Sequence, residues 1–384
     1  MLFAVKREEM LNALKAVACA SKKGADNPIL AGVLIQAEQP SGQILLSCTD
    51  GNTFLQKRIS GIRMKEAGQL LLNAELLKRC VELGEETVII AGDNKCGMVL
   101  SGKSRIELQA MPCESFPMPQ ISFPDRTIRV SGLKSLIRRS VFAASEKKGE
   151  NAVLECVRFC FTNETGTAAA TDAAACAVAS LPQCADGELK IILHQDPLSI
   201  LYAVSNNNEN YFVGVQQGKI IFMNEDTVFV THLVDGQFAD VDMFISNFKS
   251  ESRALTDSKE MYKAVDRCRV AVQDNTDSSL HVTLKQDGIT VSMATCYGTV
   301  RDKVKASEIS PMQSDGFHYN PVKITAFLKN ASGPLEILFD KHGCMLMKAN
   351  QSIYFVAPRR PAKIQQKKTA KKKESSGEQL KLAA

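Results

Sequence analysis

A chain of 384 residues with 45% hydrophobic content is too long for one ordinary core and carries ample apolar material for two or three. Its longest apolar runs, such as Ile191-Ile192-Leu193, fall far short of a membrane span. The opening Met1-Leu2-Phe3-Ala4-Val5-Lys6-Arg7-Glu8-Glu9 also lacks the basic-then-apolar order of a secretory signal, so a cytoplasmic location is expected. The net charge of +5 does not by itself argue for nucleic acid: nine basic residues against two acids from Arg359 onward give that stretch +7 and leave the rest at −2.

In chain order, the first elements are a short strand and an amphipathic helix with the stripe Met10, Leu11, Leu14 and Val17. A strand closes at Thr49-Asp50. The run Leu70-Leu71-Leu72 then enters a second helix through the polar cap Asn73, with Leu76, Leu77, Cys80 and Val81 as its apolar stripe. A hairpin around Leu100 turns at Gly102-Lys103, and a linker follows at Met118-Pro119-Gln120-Ile121-Ser122-Phe123-Pro124-Asp125.

The same order returns twice. A helix with Leu133, Leu136, Ile137 and Val141 precedes a strand ending at Thr171-Asp172. Ile191-Ile192-Leu193 then runs into a helix with Asp196 as cap and Pro197 at the first helical position, and a hairpin around Met223 turns at Glu225-Asp226. After a linker at Ser246-Asn247-Phe248-Lys249-Ser250-Glu251-Ser252, a helix with Met261, Val265, Cys268 and Val272 precedes a strand ending at Thr295. Asn320-Pro321 opens the last helix, and a hairpin around Met347 turns at Asn350-Gln351. The caps are spaced by 123 and 124 residues, the threonines by 122 and 124, and the hairpins by 123 and 124. Three markers with one period define a triplicated domain. The expected class is α+β with largely antiparallel sheets, in domains over 1–120, 126–247 and 253–360, followed by a disordered basic tail over 361–384.

The twelve cysteines are not read as a zinc or disulfide framework. Cys19, Cys80, Cys156, Cys160 and Cys268 stand in apolar or periodic segments, no C-x-x-C occurs, and the five histidines are scattered. No metal or cofactor is expected. Asp235, Asp240 and Asp242 have the spacing of a loop, and neither a phosphate-cradling glycine loop nor a nucleophile motif is present, so the chain reads as a non-enzyme. A metal-dependent nuclease on a triplicated scaffold is the rival from another class.

Several segments together resemble the beta subunit of bacterial DNA polymerase III, the sliding clamp family. They are Asn27-Pro28-Ile29-Leu30, Ser101-Gly102-Lys103-Ser104-Arg105 followed by Met111-Pro112 and Phe116-Pro117, Thr171-Asp172, Leu233-Val234-Asp235-Gly236-Gln237-Phe238, and Tyr354-Phe355-Val356-Ala357-Pro358-Arg359. The similarity extends over nearly all of residues 1–361. It implies three clamp domains with two inward-facing helices each and sheets outside. It also implies a head-to-tail homodimer closed into a ring around double-stranded DNA, and a processivity factor for the replicative polymerase.

In such a ring the polar helix faces should carry positive charge against the phosphates. Lys22, Lys23, Lys78 and Arg79 in the first repeat fit that role, as do Lys134, Arg138, Arg139, Lys147 and Lys148 in the second and Lys263 and Arg267 in the third. Lys259, Lys323 and Lys329 accompany the last group. Contacts to phosphate carry no sequence information, so binding without base preference is expected.

The resemblance further implies an apolar pocket for short peptides of the polymerase and the clamp loader. Carried over by position, it comprises Leu154, Thr171, Ala173, Ala174, Ala175, Cys176, Met243, Phe244, Phe355, Val356, Ala357, Pro358 and Arg359. Where the family commonly has Gly-His-Arg-Leu after Thr-Asp, this chain has Ala173-Ala174-Ala175-Cys176, which removes polar groups from the pocket rim. That departure keeps open a clamp-like paralogue that regulates or replaces another clamp. In the tail, Gln379-Leu380-Lys381-Leu382 resembles the peptide such pockets accept, and a tail that occupies its own pocket is one expectation.

Overall fold

The computed structural model describes residues 1–360 except 23, 25, 26, 40, 121–123, 125, 148, 150, 271–278, 296 and 297. The described chain divides into two compact units. One comprises Met1–Lys249 with Leu346–Val356, and the other Ser250–Met345 with the segment that begins at Ala357. Seven α-helices occur among the described residues: α1 (Arg7–Val17), α2 (Ala74–Glu82), α3 (Leu133–Ser140), α4 (Gln195–Val204), α5 (Val241–Ser246), α6 (Ser258–Val270) and α7 (Pro321–Asn330).

The expected periodicity holds in the packing. Met10, Leu11, Leu14 and Val17 are the buried face of α1, and Leu133, Leu136 and Ile137 are buried on α3, whereas Val141, expected on the same stripe, is half-buried in the 3-10 turn that follows that helix. Met261, Val265 and Cys268 are buried on α6, while Val272 lies outside the described residues. The second helix departs from expectation: Leu77 and Val81 are buried but Leu76 is exposed, with Ala74 taking the inward position. Three strands end at the three marker threonines, Gln43–Thr49, Thr165–Thr171 and Gly288–Thr295. All three predicted hairpins form, with the last turn holding Asn350 and Gln351 at φ 48° and 58°, the paired left-handed geometry that matches strand twist in a two-residue loop.

The caps need one correction. Asn73 and Asn320 accept from the amides of Leu76 and Val322, each at 3.0 Å, as a first helical turn requires. For α4, however, the cap is His194, whose Nδ1 accepts from the amide of Asp196 at 3.2 Å. Asp196 and Pro197 therefore stand inside the first turn, where proline still forfeits no intrahelical bond.

In the first unit, a five-stranded sheet has the order Arg63–Glu66, Leu2–Lys6, Thr87–Gly92, Cys96–Ser101, Ser104–Gln109. An eight-stranded sheet joins the first two repeats through the pairing of Thr227–His232 with Phe54–Ile59. A third sheet runs Leu189–His194, Cys156–Phe161, Thr165–Thr171, Ala175–Pro182, then Ser352–Val356. Helices α1 and α2 pack together, as do α3 and α4, and α1 also meets α4. Leu34, Phe54, Leu71, Phe116, Ile221 and Val230 form a further apolar cluster, with Met111 and Cys113 packed on it, so the segment after Ser104–Gln109 is tied down by its own side chains. In the second unit, α6 packs against α7 and against the strands Gly288–Thr295 and Gly298–Val304. Every strand pairing described in both units is antiparallel.

Candidate partner-peptide pocket and basic helix faces

The pocket region in the first unit is built on a turn that its side chains dictate. Thr171 Oγ1 donates to Ala175 O at 2.8 Å and accepts from Ala173 N at 3.1 Å. Asp172 Oδ1 accepts from Ala174 N at 3.0 Å and Ala175 N at 2.7 Å. These bonds force residue 173 to φ 72°, a left-handed conformation that an alanine adopts at a cost.

From that turn the chain enters Ala175–Pro182, in register with Ser352–Val356. Thr171 opposes Cys176 and Cys176 opposes Phe355, so the three share one face of the sheet. Burial pushes the Cys176 thiol up to about 12, which leaves it a small apolar group at neutral pH. Val356 opposes Ala175 and is buried.

Over Phe355 lies α5, a helix where a loop was expected. Phe244 meets the Phe355 ring edge-on at 4.6 Å, and Phe248 meets it at 6.2 Å. Met243 and Phe244 nonetheless remain 59% and 50% exposed, an apolar pair offered to solvent beside a buried aromatic. Leu154 is half-buried on a single turn of 3-10 helix, Ala152–Glu155. Ala357, Pro358 and Arg359 belong to the second unit, where Arg359 N donates to His318 O at 2.7 Å.

One residue that matters here was not foreseen. Arg158 stands in the otherwise apolar strand Cys156–Phe161 and pairs with Asp242 of α5. A charged residue in a strand buried at nearly every position was the available signal. Asp240 caps α5 by accepting from Met243 N at 3.0 Å, so two of the three aspartates considered for metal already have structural partners. Among the described residues no group of three or more His, Cys, Asp or Glu side chains is placed to hold a metal ion.

The basic residues divide by environment. Lys22, Arg138 and Lys147 are exposed. Lys78 and Arg79 both meet Glu75, at 2.8 Å and 3.5 Å, and Lys263 meets Glu260 at 2.9 Å. Arg267 is bound by Asp302, which raises its pKa. Lys134 donates to Ser205 O at 2.6 Å and lies over the Tyr202 ring. Lys23 and Lys148 lie outside the described residues.

Arg139 corrects the expectation. It is 6% exposed, and its guanidinium donates to Asn350 O at 2.8 Å, Ser352 Oγ at 3.1 Å and Ser180 O at 3.0 Å. It grips the final hairpin of the first unit and has no face left for a phosphate. The neighbouring Arg138 keeps the outward position on α3.

Strand–helix–strands–helix–hairpin repeated three times defines the DNA clamp fold, and solved clamps overlay on almost the whole chain. The sliding clamp of Bacillus subtilis gives a TM-score of 0.82 at 20% identity, covering 94% of this chain and 99% of that one. The beta subunit of Streptococcus pyogenes gives 0.83 at 19%, covering 94% and 100%. In sequence, the beta sliding clamp of Staphylococcus aureus strain MW2 is 23% identical over 324 residues, 80% of this chain and 85% of its own length. The family model for the N-terminal domain of the DNA polymerase III beta subunit matches residues 1–120, and that for its central domain matches 127–240. The chain belongs to the DNA polymerase III beta subunit family, the beta sliding clamps.

Proposed function

We propose that this protein is a DNA sliding clamp, a non-catalytic processivity factor that closes with a second copy around duplex DNA and tethers the replicative polymerase. The observation that carries the reading is the triple recurrence of the clamp element order in a chain whose first 240 residues match the family's N-terminal and central domains. Tethering raises the polymerase's effective concentration at a primer end without altering its chemistry. The three repeats are the clamp domains over 1–120, 126–247 and 253–360.

Head-to-tail closure is supported by two sheet edges. Ser104–Gln109 is the outer strand of a sheet in the first unit, and Gly298–Val304 is the outer strand of a sheet in the second. Large apolar side chains accompany them: Leu76 and Leu108 line a depression of about 350 Å³ in the first unit, and Val270 is exposed at the end of α6 in the second. A strand edge flanked by apolar surface favours pairing with another chain, and a heterologous pairing that closes gives a ring.

For DNA, the exposed set is Lys22, Arg79, Arg138, Lys147, Lys263 and Arg267, with the half-buried Lys78 beside them and Arg139 removed. Among the described residues no helix is long and apolar enough to cross a membrane. A cytoplasmic location goes with the proposed role on DNA. Partner peptides of the polymerase and clamp loader would seat on Thr171, Cys176, Met243, Phe244 and Phe355.

The test is extension of a primer on circular single-stranded DNA, with solution mass measured in parallel. Stimulation by a dimer of about twice 41.9 kDa is expected. Metal-dependent cutting would overturn the reading in favour of a nuclease. Ring formation without stimulation would favour the regulatory paralogue, which the small side chains of Ala173, Ala174 and Ala175 at the pocket rim suit. Changing Lys147 and Lys148 to Glu should weaken loading; unchanged loading at physiological salt removes that loop from the DNA surface.

A further inference from the structure

Helix α5 is too short to persist unaided. Six residues are well below the length at which a helix holds its shape in water, and Val241 alone among them is buried. Its first turn is closed by Asp240. The rest of its order must come from what it touches: the Phe355 ring beneath Phe244, and Arg158 beneath Asp242.

Arg158 is costly where it stands. It occupies the strand Cys156–Phe161 opposite Ala169 on one neighbour and Ile192 on the other, and its side chain is 8% exposed. The small Ala169 leaves room for the guanidinium, which cannot shed its proton and so needs acceptors. Asp242, itself 60% exposed, supplies one, and the Phe238 ring lies 5.5 Å away, yet the buried Nε has no partner. A buried arginine with an unsatisfied donor is a poor way to stabilise a sheet, since an apolar side chain of similar volume would do as well or better.

We infer that Arg158 is a positioning residue of the partner pocket. By holding Asp242 it fixes α5 on the sheet, so that Met243 and Phe244 stand over Phe355 as a preformed apolar seat. A seat ordered before binding spares a peptide the cost of ordering it. The inference rests on reading that cluster as the partner pocket.

Two measurements on the full chain test it. The first is hydrogen exchange at the amides of Phe244 and Asn247, which donate to Asp240 O and Met243 O within α5. The second is the anisotropy of a fluorescein-labelled peptide, Gln-Leu-Lys-Leu-Phe. In Asp242→Asn and in Arg158→Leu, exchange should accelerate about tenfold and peptide affinity should fall about tenfold, the size expected for losing one charged hydrogen bond. Asp242→Glu should restore both. The Tm of Arg158→Leu should stay level or rise, which separates positioning from general stability. Unchanged exchange in Arg158→Leu, or a Tm that falls in step with affinity, overturns the inference. Failure of the unaltered chain to bind the peptide overturns the pocket reading and with it the effect on affinity, whereas the exchange rates alone decide whether Arg158 holds the helix.

Discussion

Two turns in the first unit, at 49–53 and 171–175, are the same device in two settings. Thr49 Oγ1 donates to Thr53 O at 2.8 Å, and Asp50 Oδ1 accepts from Asn52 N at 2.9 Å and Thr53 N at 2.7 Å. The corresponding bonds of Thr171 and Asp172 differ by no more than 0.1 Å. Each turn feeds a strand that pairs with the last strand of the following repeat, Phe54–Ile59 with Thr227–His232 and Ala175–Pro182 with Ser352–Val356. The position between Asp and the next strand is Gly51 at φ 96° in one and Ala173 at φ 72° in the other. What lies above differs more: Pro117, Met118 and Pro119 border the first turn, whereas α5 with Met243 and Phe244 covers the sheet beside the second. The Thr-Asp pair thus sets the backbone, and the covering segment sets what the surface can hold.

The largest effect that would sharpen this contrast is Phe355→Ala. It should cost about 3 to 5 kcal/mol by removing a buried aromatic and abolish peptide binding. Denaturant unfolding and peptide anisotropy check it, and intact binding would mean that the seat lies elsewhere. Next is Arg139→Met, which strands three acceptors around the final hairpin and should cost about 3 kcal/mol. Arg138→Glu should instead leave unfolding unchanged and lower DNA affinity, so a reversed pattern would return Arg139 to the DNA surface. Asp50→Ala and Asp172→Ala should each cost about 2 kcal/mol by freeing two amides, with only the second weakening the peptide. Equal loss of binding in both would break the distinction between turn and cover. The smallest effect is reciprocal: Ala173→Gly should stabilise by about 1 kcal/mol, and Gly51→Ala should destabilise by about the same. An alanine Cβ at position 51 meets nothing within 4 Å, so the second change isolates backbone strain.

Much of the fold was legible because its markers are local. Thr49, Thr171 and Thr295 end strands, the three hairpin turns fall where glycine, asparagine and acidic residues cluster, and the buried stripe of α1 follows helical spacing. The pocket was legible only through family resemblance, since nothing in Thr171-Asp172 or Phe355 says that they share a face. The misses have physical causes. Arg139 lies one turn after Leu136 and Ser135, on the flank of α3 that meets the sheet, and its acceptors at Asn350 and Ser352 are more than 200 residues away. Helix α5 is too short to show a period and depends on an ion pair with a distant strand. His194 displaced Asp196 as a cap because an imidazole nitrogen can accept from an amide as an aspartate oxygen does.

The strand Ser352–Val356 has a temporal consequence. Its neighbour Ala175–Pro182 leaves the ribosome about 170 residues earlier, and at ordinary synthesis rates waits roughly ten to thirty seconds for its mate. During that interval a row of alanine and valine lies open along a bare edge, the kind of surface to which chaperones and other nascent chains adhere. A message cut short before codon 346 would leave that edge open permanently, so translation to the late hairpin acts as a completeness check on everything made before it.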